Sequence, residues 1–176
     1  VSLDPPMRVL IAHGWSDLVL PPSTLRQLQE IKSAMQFRHR VYSEWGFDQR
    51  LVSGKGLKVL FSGPAGTGKT MTAGIIARDL GLDLYKIDLS GIVSKFIGET
   101  EKNLDRIFRA SRSGNAILFF DEADALFGKR SEVKDAHDRY ANIEVAYLLQ
   151  KMEEHDGVVI LATNLSRNMD DAFARR

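Results

Sequence analysis

Four short segments of the chain are predicted to be β-strands, and longer segments with helical spacing separate them. The predicted strands are 58–62, 84–89, 116–120 and 158–162. The last two contain only apolar residues, which is typical of strands buried on both faces of a parallel sheet. The predicted helices between them are 71–80, 100–113 and 140–154. Strands that alternate with helices predict an α/β domain with a mostly parallel sheet.

The part of the chain before the first strand has a different character. Residues 1–17 are hard to interpret, and Pro5, Pro6 and Gly14 favour irregular structure there. Apolar residues then recur at helical spacing over 22–42. We therefore expect residues 1–14 to be an extension or linker and residues 15–176 to form one domain.

Composition and charge exclude some classes of function without choosing one. Of the 176 residues, 44% are hydrophobic and 27% are charged, as in a soluble globular domain. The formal net charge of +1 gives no general attraction to nucleic acid or to an anionic membrane. The absence of cysteine excludes disulfides and fits a reducing, cytoplasmic setting. No apolar run reaches the length of a membrane span, and the four histidines lack metal-ligand spacing.

A phosphate-binding loop is predicted between the first strand and the helix that follows it. Residues 63–70 read Gly-Pro-Ala-Gly-Thr-Gly-Lys-Thr, which matches Gly-x-x-x-x-Gly-Lys-Ser/Thr. Glycines let backbone N–H groups turn toward phosphate oxygens, and a helix N-terminus favours negative charge. Lys69 would reach the terminal phosphates, and the Thr70 hydroxyl would bind Mg²⁺. The residues predicted to contact the nucleotide are Pro64, Ala65, Gly66, Thr67, Gly68, Lys69, Thr70 and Met71.

The third predicted strand runs into two acidic residues, Asp121 and Glu122. This is the Walker B pattern, in which the first carboxylate holds Mg²⁺ through its water shell. The second carboxylate would polarise the attacking water as a general base. Alternatively, the pair begins a helix, because acidic side chains favour helix N-termini. That alternative allows Asp121 to be a metal ligand but does not allow Glu122 to be a catalyst.

Asn164 follows the fourth predicted strand, after Thr163. Ligands of such sheets bind at the carboxyl ends of the strands. Asn164 would therefore help to hold the water between Glu122 and the γ-phosphate. Taken alone, Asn164 fits an Asx turn equally well. The phosphate loop and the acidic pair favour the role beside the γ-phosphate.

Together these motifs resemble those of the AAA+ ATPases, and specifically their AAA clade. The resemblance covers residues 15–176 and rests on the segments 63–70, 119–124, 161–164 and 170–176. It implies a P-loop NTPase fold, a three-layer α/β/α arrangement with the strand order 5-1-4-3-2. It also implies Mg²⁺-dependent hydrolysis of ATP by a homo-hexamer that remodels or unfolds a polypeptide drawn through its central pore.

The resemblance implies a pore loop in a segment that no other motif explains. Lys95, Phe96, Ile97 and Gly98 are similar to the first pore loop of the family, in which the aromatic residue grips the polypeptide. Without the family pattern, Phe96 would be better interpreted as a core residue. The charged segment 129–137 falls where a second pore loop lies.

Two further pairs of residues take roles from the resemblance. Arg175 and Arg176 are similar to the arginine fingers that reach the γ-phosphate of the neighbouring subunit, and we favour Arg175. The alternative is a solvated basic pair. Asp17 and Leu18 lie where the family contacts adenine through backbone groups.

The end of the chain departs from the family pattern. The sequence stops at Arg176, where AAA modules continue with a fifth strand and a helical lid. We expect both to be missing, so that this fragment binds nucleotide weakly, hydrolyses it slowly and forms hexamers poorly. Segments 45–47, 127–132 and 138–142 resemble a bacterial AAA subgroup, some of whose members accompany contractile injection systems.

Other classes of function remain open from the sequence. A P-loop kinase would share the phosphate loop but would need an acceptor pocket, and Asn164 and the terminal arginines favour hydrolysis instead. A DNA-handling AAA+ protein would favour a basic channel loop, whereas Phe96 and Ile97 suit a peptide better. A binding module without activity is disfavoured by the complete set of Lys69, Asp121 and Glu122.

Overall fold

The computed structural model describes residues 7–8, 14–39, 56–64, 66, 68–92, 99–111, 116–124 and 146–164. The strands are β1 (Met7–Arg8), β2 (Leu57–Ser62), β3 (Asp83–Asp88), β4 (Ala116–Asp121) and β5 (Val158–Thr163). The helices are α1 (Pro22–His39), α2 (Lys69–Leu80), α3 (Leu89–Ile92), α4 (Glu99–Ala110) and α5 (residues 146–154). A 3₁₀ helix spans Trp15–Asp17. The four predicted strands are confirmed with small shifts of their ends, and α2 begins at Lys69 rather than at Met71.

The strands form one sheet in the order β1-β3-β4-β5-β2. The last four are parallel, and β2 pairs with β5 along its whole length, from Leu57 opposite Val158 to Ser62 opposite Thr163. This order confirms the predicted P-loop NTPase arrangement for the four parallel strands. Because these strands are parallel, β2, β4 and β5 end at the same edge of the sheet, and the predicted site residues follow these ends.

Helices cover the sheet on both faces. On one face, α1 and α2 pack on alternate residues of β2, β4 and β5 through Leu28, Met35, Ile76, Phe119 and Ile160. On the other face, α4 and α5 pack on the intervening residues through Leu104, Phe108, Phe120, Leu148 and Leu161. All six residues of β5 are buried, as its uninterrupted apolar sequence predicts. Within the described ranges, no helix has both the length and the apolar character needed to span a bilayer.

Two short parts of the N-terminal segment, residues 7–8 and 15–17, have regular structure that the sequence pattern did not predict. Met7 and Arg8 pair antiparallel with Lys86 and Tyr85 of β3, so that β1 lies at one end of the sheet. The prediction of irregular structure is therefore wrong for residues 7–8 and 15–17. A two-residue strand is too short to produce a recognisable alternation, so its pairing depends on the strand beside it.

A cluster of three side chains fixes the 3₁₀ helix to the body of the domain. The indole Nε1–H of Trp15 donates to the Asp79 carboxylate, near the end of α2. Lys32 of α1 lies 3.1 Å from the same carboxylate and 6.0 Å from the centre of the Trp15 ring. These contacts join the start of the described domain to α1 and α2. The indole hydrogen bond, followed by Lys32, lowers the pKa of Asp79 below its usual value of 3.8.

Substitution of Asp79 by asparagine is expected to make folding stability less sensitive to acid. Because the folded-state pKa is lowered, the carboxylate stabilises the fold above pH 4, and this contribution is lost as the pH falls through the folded-state pKa. The group is partly exposed, so we expect a loss of at most about 1 kcal/mol at pH 7. Urea unfolding at pH 7 and pH 3 would measure the free energy of unfolding of both proteins, with Asp156→Asn as the exposed control. An equal acid dependence in Asp79→Asn and the unsubstituted protein would contradict the prediction.

Candidate active site

The phosphate loop begins where β2 ends, and β5 holds its first residue. The Gly63 N–H donates to the Thr163 carbonyl oxygen at 3.1 Å. Gly66 and Gly68 have φ of 80° and 85°, which an L side chain adopts only with strain. An added Cβ at Gly66 or Gly68 would meet no atom within 4 Å, so the backbone conformation, not the space, requires glycine. Ala65 and Thr67, two of the predicted nucleotide contacts, lie outside the described residues.

Lys69 and Thr70 lie in the first turn of α2, directly after the left-handed Gly68. The N–H of Thr72 donates to the Gly68 carbonyl oxygen at 2.9 Å, which closes this first turn. The amide groups before Thr72 precede the intrahelical hydrogen bonds and carry the partial positive charge of the helix N-terminus. This end of α2 therefore offers N–H donors, an ammonium group and a hydroxyl to one anion.

The ammonium group of Lys69 connects the loop to the end of β5. Its Nζ donates to the carbonyl oxygens of Gly63 at 2.5 Å and Pro64 at 3.0 Å. It also donates to the Asn164 Oδ1 at 3.1 Å. The structure thus places Lys69 and Asn164, two residues that the sequence predicted for one site, in direct contact.

The acidic pair lies at the end of the central strand β4. Asp121 is the last residue of β4, and its Oδ1 accepts a hydrogen bond from the Glu122 N–H at 2.9 Å. Glu122 has φ of 54°, in the left-handed region that non-glycine residues rarely adopt. Such a conformation costs about 1–3 kcal/mol and is concentrated at functional sites. The turn is held by the Ala123 N–H, which donates to the Ala162 carbonyl oxygen at 3.1 Å.

Asp124 is a residue of this site to which the sequence analysis gave no role. Its Oδ1 accepts hydrogen bonds from the Thr163 hydroxyl at 2.9 Å and from the backbone N–H of Asn164 at 3.2 Å. Asp124 therefore fixes the backbone that carries Asn164. Its place in the segment 119–124 was a signal in the sequence, but its partners lie on β5 and immediately after it, far along the chain.

Lys86 is a second residue that the sequence analysis missed. It lies on β3, and its Nζ is 3.4 Å from the Asp121 Oδ2. In the register of the sheet, Lys86 pairs with Phe119, and Asp88 pairs with Asp121. A lysine within a strand has no sequence signature that identifies its neighbour on the next strand, because the register decides which residues meet.

The remaining predicted site residues fall into two groups. Asp17 and Leu18 lie in and after the 3₁₀ helix, where the Asp17 carboxylate accepts a hydrogen bond from the Gly14 N–H at 2.8 Å. The side chain of Asp17 is thus already bonded within its own turn. The second group lies outside the described residues. It comprises the predicted pore loop, which is Lys95, Phe96, Ile97 and Gly98, and the predicted arginine fingers, which are Arg175 and Arg176.

The donor groups at this edge suit magnesium. The Asp121 carboxylate and the Thr70 hydroxyl are hard oxygen ligands of the kind that Mg²⁺ prefers. Among the described residues, no three histidine, aspartate or glutamate side chains form a group that could hold a metal ion. Mg²⁺ usually keeps several waters and binds through one or two carboxylates together with substrate phosphates. The residues present fit that mode of binding rather than a cage made only of protein ligands.

Comparisons with known proteins show which family the chain is similar to. The profile of the family described as "ATPase family associated with various cellular activities (AAA)" matches residues 59–176. An uncharacterized AAA family ATPase, y4kL, of Sinorhizobium fredii is 33% identical over 173 residues, which are 96% of this chain and 49% of the relative. Proteasome-activating nucleotidase 1 of Haloferax volcanii is 34% identical over 157 residues, 85% of this chain and 37% of the relative.

A third relative extends the range of organisms. The peroxisomal ATPase PEX6 of Candida glabrata is 36% identical over 131 residues, which are 69% of this chain and 13% of the relative. The chain thus spans about half the length of the first relative and smaller shares of the other two. The match to the family profile includes both the phosphate loop and the acidic pair.

Proposed function

This chain belongs to the AAA family of ATPases, and we propose that it binds ATP with Mg²⁺ and hydrolyses it to remodel or unfold proteins within a ring hexamer. The observation that carries the proposal is the meeting of three motifs at one edge of the sheet. Lys69 contacts Asn164 at 3.1 Å, and Asp124 bonds the Asn164 backbone only two residues beyond Glu122. The phosphate loop, the acidic pair and the end of β5 are therefore parts of one site.

Nucleotide binding in this proposal uses the first turn of α2. The backbone N–H groups of the loop and of Lys69 to Met71 hold the phosphate oxygens. The Lys69 ammonium exchanges the carbonyl oxygens of Gly63 and Pro64 for the terminal phosphates. Asp17 and Leu18 contact adenine through backbone groups, since the Asp17 carboxylate is bonded to Gly14. Thr70 and Asp121 would hold Mg²⁺, which would supply charge neutralisation to the phosphates when bound.

Hydrolysis is assigned to the residues that follow β4 and β5. Glu122 orients a water molecule and takes its proton as the water oxygen attacks the γ-phosphorus in line; the bond to the β–γ bridging oxygen breaks, and ADP leaves with that oxygen. The Glu122 side chain is exposed and can reach solvent. Asn164 holds the same water or a γ-phosphate oxygen. Catalysis of this kind depends mainly on positioning and on stabilisation of charge. The hydrogen bond from the Ala123 N–H to Ala162 and the two hydrogen bonds to Asp124 hold the strained turn at Glu122 and provide the rigidity that positioning requires.

The proposal assigns the action on a substrate to other segments. Arg175, with Arg176 beside it, completes the site of the next subunit, where an arginine supplied in trans can raise the rate by about 10³–10⁵. Lys95, Phe96, Ile97 and Gly98 contact an extended polypeptide in the central pore. A relative named as a proteasome-activating nucleotidase supports a protein substrate rather than a nucleic acid.

Product analysis with the full-length protein tests the proposal. We expect Mg²⁺-dependent release of ADP and inorganic phosphate in equal amounts, with no phosphorylated acceptor. ATP should favour a hexamer in analytical ultracentrifugation. Transfer of phosphate to a small acceptor would replace the proposal with a kinase. Salt-dependent DNA binding that raises the ATPase rate would favour a DNA-handling AAA+ protein.

A further inference from the structure

Both oxygens of the Asp121 carboxylate have partners within the protein. Oδ1 accepts the Glu122 N–H at 2.9 Å, and Oδ2 lies 3.4 Å from the ammonium Nζ of Lys86. The Lys86 and Asp121 side chains are 36% and 24% exposed, so solvent and ions can reach the pair. Asp121, which the proposed function assigns to Mg²⁺, is thus already paired with the ammonium group of Lys86.

The architecture fixes this pairing. Side chains alternate between the faces of a strand, and Lys86 shares the register position of Phe119, which packs in the core beneath α2. Asp121, two residues beyond Phe119, therefore lies on the same face of the sheet. Backbone pairing of Lys86 with Met7 on one side and Phe119 on the other holds the lysine between two strands.

The charges around the pair explain why a cation is favoured there. Asp88 lies opposite Asp121 in the register, and Glu122 and Asp124 follow within three residues. The Asp88 carboxylate accepts hydrogen bonds from the Ser90 N–H and hydroxyl, which are neutral donors. Lys69, at the same end of the sheet, donates to Gly63, Pro64 and Asn164. Lys86 is therefore placed to balance part of the negative charge next to Asp121.

We propose that Lys86 is an internal counterion that competes with Mg²⁺ for Asp121 and so raises the Mg²⁺ concentration needed to load the nucleotide site. The inference rests on the proposed function, which makes Asp121 the magnesium ligand. A hydrated Mg²⁺ at Asp121 either displaces the ammonium group or lies beside it, and both events oppose metal binding. Lys86 is a positioning residue, since it acts through Asp121.

Magnesium titration of the nucleotide complex tests the inference without relying on hydrolysis. The affinity of the full-length protein for a fluorescent ADP is measured in EDTA and then at increasing Mg²⁺ concentrations. The ratio of the two affinities isolates the contribution of the metal. In Lys86→Met, we expect half-saturation at a Mg²⁺ concentration about twofold to fivefold lower, the range that partly exposed ion pairs support. Lys86→Gln serves as a second neutral variant in case the methionine variant folds poorly.

Two control variants separate this role from a structural one. Lys86→Arg keeps the positive charge, so its Mg²⁺ dependence should equal that of the unsubstituted protein. Lys102→Met removes the same charge from an exposed position on α4 and should leave the titration unchanged. Half-saturation of the neutral Lys86 variants at an unchanged or higher Mg²⁺ concentration would overturn the inference alone. Absence of Mg²⁺-dependent nucleotide binding in the unsubstituted protein would overturn the proposed function together with it.

Discussion

Replacement of Glu122 by glutamine in the full-length protein is expected to slow ATP hydrolysis by about 10²–10⁴-fold, the usual contribution of a general base. ATP binding should persist, because the phosphate contacts come from the loop and the first turn of α2. Glutamine has nearly the shape of glutamate, so it places the same demand on the left-handed backbone at φ of 54°. The substitution therefore removes the basic oxygen while leaving the turn after β4 unchanged.

Two measurements check this expectation. Phosphate release gives the rate, and equilibrium binding of ATP shows whether the site remains loaded. Glu30→Gln, which makes the same change at an exposed position of α1, should hydrolyse ATP normally. Because a slow enzyme holds ATP longer, the Glu122→Gln hexamer should also be more persistent. Normal turnover by Glu122→Gln would show that the base has been assigned to the wrong residue.

Replacement of Lys69 by methionine is expected to weaken ATP binding by about 10- to 150-fold. This range corresponds to about 1.5–3 kcal/mol, the contribution of a hydrogen bond to a charged group. Lys69 is half-buried, and it donates to the Gly63 and Pro64 carbonyl oxygens and to Asn164. Methionine replaces the aliphatic part of the side chain but neither donates to phosphate nor holds Asn164.

Binding of ATP to the Lys69→Met variant should be measured beside its thermal unfolding. The melting temperature should change little, because the lysine contacts lie in the loop rather than in the two hydrophobic clusters. Lys102→Met again serves as the charge-matched control on α4. An ATP affinity equal to that of the unsubstituted protein would exclude Lys69 as a phosphate ligand.

Much of the fold was predictable because its signals are local. The apolar runs at 116–120 and 158–162 predicted buried parallel strands, and β4 and β5 lie in the interior of the sheet. The succession of strand, glycine loop and helix around residues 63–70 was equally predictable, since the motif has glycine and lysine at fixed spacing. By contrast, β1 was missed because two residues cannot display a period.

The sequence predicted which motifs form the site, including Asn164 far along the chain, but it did not predict the contacts between them. Asp121 and Glu122 are adjacent, and the chemistry of an acidic pair after an apolar strand is visible in the sequence. The contacts that this segment makes with other strands are not visible there. Asp124 bonds the Asn164 backbone across 40 positions, and Lys86 meets Asp121 from another strand. The left-handed backbone of Glu122 likewise had no signal in its residue type.

The sequence by itself determined the class of fold, the phosphate loop and the family, since each follows from residue types at short fixed spacings. Only the tertiary structure decided that Lys69 contacts Asn164, that Asp124 fixes the end of β5 and that Lys86 lies on Asp121. The physical reason is that strand order, register and the alternation of side chains between faces decide which distant residues meet. These properties belong to the assembled sheet, and no single segment of the chain contains them.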